Sequence, residues 1–342
     1  MPKVAQEITG FLRASVSVMA TTTPASPLTL SRTFTPMRPS LAPHWDPAAH
    51  AALERALENA AANEVVALDF DNTCVQGDTG ELFHLYLSET LRWDLDNFAD
   101  RLDDADGRAD FCEKLARWRA TGEGRSALFR ALMEAFPRRI EREGAQKTYA
   151  WATSLHAGLR EDEHRTLSRA MLMREGTRDR ERLILSRETD EHPPLIIRRG
   201  LRTRPALRAL VEVAADASIP TWVVSATNRW TVEVAAEDLA IPRDRVIGNR
   251  TRVDEGRITC EPDGPATWHQ GKVDALRALG IGVALAGGDS WSDVPMMEYA
   301  RQGLLIDRGD GALRQLAEER GWIIVEAGAL ASVPWGTFSS QE

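Results

Sequence analysis

The sequence predicts an α/β fold: a parallel sheet covered on both faces by helices, a three-layer Rossmann-like arrangement, with a helical insertion near its start. Three observations carry this. From about residue 200 onward, short apolar runs alternate with single amphipathic helices, the pattern of right-handed crossovers between parallel strands. After the first apolar run, roughly a hundred residues up to Arg187 repeat Leu, Ala, Trp and Arg at helical period without a convincing strand. Finally, three apolar runs end on polar residues that a buried strand would not select, and parallel packing brings such ends to one edge of the sheet.

Taken in order, residues 1–44 read as a disordered leader. No Asp or Glu occurs from Ile8 to Trp45, and the short apolar patch Val16, Val18, Met19, Ala20 would make an export signal only if Arg13, Ser15 and Ser17 did not interrupt it. Structure is expected from Trp45, where Asp46 offers an N-cap and Pro47 a first helical position. The α/β core is assigned to 45–80 and 200–342, and the helical insert to 81–199. Strands are expected at 65–70, 221–226 and 282–289, in "RVIG", "GLLID" and "WIIVE", with a hairpin-like excursion at 248–264.

The chain of 342 residues carries 42 basic and 51 acidic side chains, a net charge of −9 that disfavours a nucleic-acid partner. No apolar run reaches the ~18 residues of a membrane span. Cys74, Cys112 and Cys260 are odd in number and far apart, which supports neither a disulfide framework nor a zinc cluster and makes the cytoplasm the expected compartment. The seven histidines show no paired metal-ligand spacing, so each reads as a surface or hydrogen-bonded core residue.

The polar strand ends carry the chemistry. They are Asp69 with Asp71 and Thr73, Ser225 followed by Ala226, and Asp289 with Asp293, while Lys272 opens an intervening helix. Carboxylates this close raise one another's pKa unless a cation offsets them, and an oxygen-only set points to Mg²⁺. With such a cation present, Asp69 would attack phosphorus and Asp71 would move the proton. Ser225 with neighbouring backbone amides would hold phosphate oxygens, and Lys272 would offset their charge.

"DFDNT", Ser225 after its apolar strand, Lys272 in "GKVDAL" and "GGDSWSD" resemble, in order and spacing, the four motifs of the haloacid dehalogenase superfamily, specifically its phosphohydrolases. "TWVVSATNRWTVEVAAEDLAIPRDRVIG" is most similar to the phosphoserine phosphatase branch, and "LAPHW" together with the acids after the first motif resembles phosphorylcholine phosphatases. The resemblance covers about 60–80 and 205–310. It implies Asp69 as nucleophile, Asp71 as acid/base, and Mg²⁺ held by Asp69, the Asp71 carbonyl and Asp289, with Asp293 supporting the metal through water. Thr73, Ser225, Ala226 and Lys272 would bind phosphate. An acid at 71 argues against halide release, which needs no proton donor.

The insert then corresponds to the superfamily's cap, which reads the leaving group. Asp78, nine positions after Asp69, and Glu81 stand where relatives hold a substrate ammonium, although both also suit the N-cap and first turn of a helix. Trp93, Trp118 and Trp151 read as core before they read as an aromatic cage. The five arginines of 198–208 read as a solvated helix entry before an anion site. "SATN" departs from the Ser-Gly-Gly usual in phosphoserine phosphatases, which puts serine phosphate in question. The expectation is therefore a Mg²⁺-dependent phosphatase of a small phosphomonoester with an amine or quaternary ammonium leaving group. The alternatives are a phosphotransferase using the same aspartyl phosphate, and a signalling module phosphorylated on Asp69 without turnover.

Overall fold

The computed structural model describes residues 39–94, 125–185 and 196–339, with a few scattered positions between 98 and 121. The expected leader up to residue 38, Cys112 and Trp118 lie outside them. Helix α1 (Pro47–Glu58) starts as the sequence predicts: the Asp46 carboxylate accepts from the Ala48 and Ala49 amides at 3.0 Å. Strand β1 (Glu64–Leu68) alternates strictly, with Val66 and Leu68 packing on one face of the sheet and Val65 and Ala67 on the other. It stops two residues before the expected end, because the Phe70 carbonyl turns to accept from the Cys74 and Val75 amides. A short β2 (Val75–Gln76) follows.

Four helices come next: α2 (Thr79–Thr90), α3 (Arg125–Glu143), α4 (Ala145–Ser154) and α5 (Glu161–Thr177). They bury Phe83, Leu87, Leu132, Trp151 and Met171 in an apolar cluster that also takes in Trp93, so both described tryptophans of this region are core. The stretch is not wholly helical. β3 (Glu181–Ile184) and β4 (Ile196–Arg199) form an antiparallel hairpin, hidden from a periodicity reading because charged residues interrupt its apolar positions. β5 (Arg202–Thr203) then pairs with β2 on one side and with the C-terminal β13 (Val333–Pro334) on the other.

The remaining chain alternates as expected: α6 (Pro205–Asp216), β6 (Thr221–Asn228), α7 (Arg229–Ala235), β7 (Val246–Asn249), the hairpin β8 (Thr251–Asp254) and β9 (Arg257–Pro262), α8 (Gln270–Ala278), β10 (Gly282–Gly288), α9 (Val294–Tyr299), β11 (Gln302–Asp307), α10 (Gly311–Glu319) and β12 (Ile323–Glu326). The central sheet has the order β12-β11-β10-β1-β6-β7, with every pair parallel. Helices α1 and α6 cover one face and α8 and α9 the other, giving three layers. The chain builds outward from β1 to β6 and β7, then returns to β10 on the opposite side. The order therefore switches between β1 and β10, where the carboxyl ends of parallel strands leave a crevice.

The arginine-rich stretch departs from expectation. Arg199 is buried in an ion pair with Glu175 at 2.5 Å, and Arg204 is 2% exposed, donating to the Ala327 and Asn72 carbonyls. A solvated helix entry is excluded at these two positions, because the guanidinium donors are met by a carboxylate or by loop carbonyls rather than by water.

Candidate active site

The switch point is where the predicted residues meet. Asp69 leaves β1 with its amide on the Gly287 carbonyl at 2.8 Å, which locks the nucleophile candidate to β10. Lys272, fully buried at the start of α8, donates to Asp69 Oδ1 and Asp293 Oδ1, both at 2.6 Å. Thr73 Oγ1 lies 3.0 Å from Asp69 Oδ2 and 3.1 Å from Asp289 Oδ1. Asp293 Oδ2 accepts from the Asp289 and Ser290 amides at 3.1 and 3.0 Å, closing a capping box at the helical turn after β10. Backbone and side chain come so close here that a Cβ on Gly288 would sit 2.3 Å from that of Asp293, so only glycine fits.

Asp71 is held separately. Its Oδ1 accepts from the Thr79 amide and hydroxyl, each at 2.7 Å, and its Oδ2 from Thr227 Oγ1 at 2.6 Å. These donors favour the carboxylate, but burial and the charge of Asp78 outweigh them and raise its pKa to about 7. Both side-chain oxygens are thus engaged by these hydrogen bonds. Ser225 is buried within β6, three residues before its end, and its hydroxyl accepts from the Thr227 amide at 3.1 Å. Thr267 and Asn249 brace this part of the strand, donating to the Ser225 and Ala226 carbonyls at 2.6 and 2.5 Å.

The charge balance at this edge is unequal. Burial above all, then the charges of Asp293 and Asp289, push Asp69 well above the ordinary carboxylate range against the pull of Lys272. Asp289 is raised as well, mainly by burial and then by Asp293, although Arg308 sits 2.7 Å from its Oδ2. Burial disfavours the Lys272 ammonium, but Asp293 and Asp69 more than offset that and keep it protonated. Asp69, Asp289 and Asp293 bring one oxygen each to within 4.8 Å of one another, all three residues buried. Hard oxygen donors with surplus negative charge suit Mg²⁺, which takes a few carboxylates and completes its shell with water and phosphate oxygens.

Beside this edge, α2, α3, α4 and the end of β6 enclose a cavity of about 160 Å³, lined by Asp78, Glu81, His84, Phe136, Tyr149, Ala226 and others. Asp78 is the N-cap of α2, accepting from the Glu81 amide at 2.8 Å, so the capping assignment holds even as its carboxylate faces the cavity. Burial, then the charges of Asp78 and Asp71, raise Glu81 to about 8.

Sequence reasoning missed several residues here. Thr79 and Thr227 orient Asp71, and no spacing marks them. Three histidines expected to stand alone instead form a chain: His84 Nε2 lies 3.0 Å from His156 Nε2, His156 Nδ1 3.1 Å from His164 Nε2, and His164 Nδ1 3.3 Å from Ser168 Oγ, which is 3.0 Å from Thr231 Oγ1. Burial pulls His84 to about 4 and His164 to about 3, and holds His156 well below its usual value, so all three are neutral at pH 7. A neutral ring has one N–H and one lone pair, and His84 also bonds the Ala152 carbonyl. All links are satisfied only when every donor points the same way, from Thr231 toward Ala152.

A phosphoserine phosphatase from Halobacterium salinarum is 28% identical over 137 residues, which span 39% of this chain and 65% of that protein. A conserved protein of unknown function from Anaerococcus prevotii has a similar structure, with a TM-score of 0.65 at 18% identity over 85% of this chain and 96% of its own. A Bordetella pertussis protein of unknown function gives 0.50 at 20% identity, over 78% and 99%. These two likenesses speak for the fold. The haloacid dehalogenase-like hydrolase family matches residues 66–298, from β1 through the turn that carries Asp289 and Asp293 into α9, and the chain belongs to that family.

Proposed function

We propose that the protein is a Mg²⁺-dependent phosphatase of small phosphomonoesters that works through a phosphorylated Asp69. One observation supports this above the others: a buried carboxylate paired with Lys272 at 2.6 Å stands next to a second acid, Asp71, whose pKa is raised to about 7. An Asp69 oxygen attacks phosphorus, the bond to the ester oxygen breaks, and Asp71 gives its proton to that leaving oxygen. Water then attacks the acyl phosphate, Asp71 takes the proton back, and inorganic phosphate leaves. Thr73, Ser225 and the Ala226 amide hold phosphoryl oxygens, while Lys272 offsets their charge. Asp69, the Asp71 carbonyl and Asp289, supported by Asp293, would hold Mg²⁺, which would supply positive charge to this buried edge.

The insert 81–199 acts as a cap over the leaving group. The cavity that receives this group is lined by two acids and two aromatic rings, with no lysine or arginine among its described lining residues. Such a lining suits an amine or quaternary ammonium and gives a free carboxylate no cationic partner. Phosphocholine-like and phosphoethanolamine-like esters are therefore preferred over phosphoserine. The test is phosphate release with Mg²⁺ across choline, ethanolamine, serine, sugar and nucleotide phosphates, with Asp69→Asn as control. The cationic esters should lead in kcat/KM by about tenfold over phosphoserine, the size of one unmet polar contact. Equal rates would refute the leaving-group assignment, and release by Asp69→Asn would refute the mechanism.

A further inference from the structure

A second cavity, of about 510 Å³, flanks the catalytic edge on the side away from the cap cavity, over the carboxyl ends of β11 and β12. Arg180, Arg198, Arg204, Arg308 and Arg314 line it, facing the carboxylates of Asp307, Asp310 and Glu326. Two arginines are neutralised locally: Arg308 by Asp289 at 2.7 Å, and Arg314 by Asp307 at 2.6 Å. The other three are not. Arg180 donates to the Gln76 and Gly200 carbonyls at 2.8 and 3.2 Å, and Arg204 to those of Ala327 and Asn72 at 2.9 and 3.3 Å. Among the described residues, none of these three pairs with a carboxylate.

Arg204 makes the point sharpest. It is 2% exposed, yet its Nε–H has no partner among the described residues. A chain tolerates a buried, unmet charged donor only against a compensating acceptor. Burial, then the charges of Arg198, Arg202 and Arg308, pull Arg180 below its ordinary value, and burial takes Arg204 to about 10. Cations crowded this way destabilise one another until an anion enters.

We propose that this cavity is a second anion site, separate from the one over Asp69, and that it takes a phosphate group on Arg180, Arg198 and Arg204. With Asp289 counted, since it neutralises Arg308, five arginines against four carboxylates leave one positive charge, which favours an anionic occupant. Guanidinium forks match phosphate oxygens in geometry as well as charge. Asn72 and Gln76 supply neutral donors on the wall nearest Asp69, and the volume leaves room for an organic group beyond the phosphate. Arg308 lines this cavity while touching Asp289, so the occupant sits against the catalytic edge without sharing its residues. The site goes beyond the phosphatase reading and does not depend on it.

Equilibrium dialysis of radiolabelled inorganic phosphate against the full chain tests the site. The variant is Arg180→Gln with Arg198→Gln, which spares the buried Arg204. Wild type should bind two phosphates per chain and the variant one, with Mg²⁺-dependent release from a monophosphate ester changed less than twofold. One phosphate in wild type and none in the variant would uphold this site and count against phosphate binding over Asp69. Equal stoichiometry in the two proteins, or joint loss of binding and turnover in the variant, would overturn the proposal. A bisphosphorylated ester separates the two sources of the group. A KM at least tenfold below that of its monophosphate analogue, lost in the variant, identifies the substrate's own second phosphate; equal KM values identify a separate phosphate.

Discussion

Thr227→Val removes one hydroxyl at nearly constant shape. That hydroxyl donates to Asp71 Oδ2 at 2.6 Å and is one of the groups opposing the upward push of burial and Asp78 on the Asp71 pKa. A hydrogen bond to a charged group contributes about 1.5–3 kcal/mol, and one pKa unit corresponds to about 1.36 kcal/mol. Thr227 is half-buried, so the lower end applies, and the Asp71 pKa should rise by about one unit from its value of about 7. Asp71 must be protonated to assist the leaving oxygen, so kcat/KM falls as pH rises through its pKa. The basic limb of the profile should therefore move about one unit upward in the valine variant, and Thr227→Ser should restore it. Metal charge is common to both enzymes and cancels in the difference. A basic limb that stays in place or moves down would refute the assignment of Asp71 as the proton donor.

Further outcomes follow from the same geometry. Asp69→Asn should lower turnover by at least about 10⁴-fold while near-UV circular dichroism stays unchanged, because the amide fits the same space but cannot attack phosphorus. Chelation with EDTA should abolish phosphate release and Mg²⁺ should restore it; full activity in EDTA would remove the metal from the mechanism. Glu81 has its folded pKa raised from 4.5 to about 8, so its contribution to stability is complete below pH 4.5 and disappears as pH rises through 8. Glu81→Gln should then gain stability relative to wild type between pH 5 and pH 8.5, on the order of 1–2 kcal/mol after sharing with Asp78 and Asp71. A melting-temperature difference independent of pH would contradict this. His156→Leu leaves ring nitrogens of His84 and His164 without partners and should cost about 2–4 kcal/mol in urea unfolding; a loss under about 0.5 would show the histidine chain to be incidental.

The convergence of the candidate site residues was legible in the sequence because acids at strand ends are locally anomalous. Asp69, Ser225 and Asp289 each break an apolar run, and the alternation of strands and helices is enough to bring the three together. What was not legible depends on packing between distant helices. His84, His156 and His164 sit on α2, at the end of α4 and on α5, and no spacing along the chain anticipates their contact. The β3–β4 hairpin escaped for a different reason: "ERLI" and "IIRR" carry too many charges for alternation to show. Arg199 looked solvated because its partner Glu175 lies 24 residues away on α5. Thr79 and Thr227 are ordinary helix-start and strand residues until the fold turns both hydroxyls onto Asp71.

The three-stranded β2-β5-β13 sheet brings the two ends of the helical stretch together. The chain enters the insert along β2 and leaves it along β5, and the two are hydrogen-bonded side by side, Val75 opposite Thr203 and Gln76 opposite Arg202. Entry and exit therefore cannot slide or separate independently at that ribbon, and the helix α5 between them is tied to the core again where Arg165 meets Glu233 at 2.8 Å and Trp230 Nε1 donates to Glu161 at 2.9 Å. β13 adds a third strand to that ribbon, Val333 opposite Thr203. The ribbon through which the chain enters and leaves these helices is thus completed by residues some 260 positions removed from Asp69 in the chain.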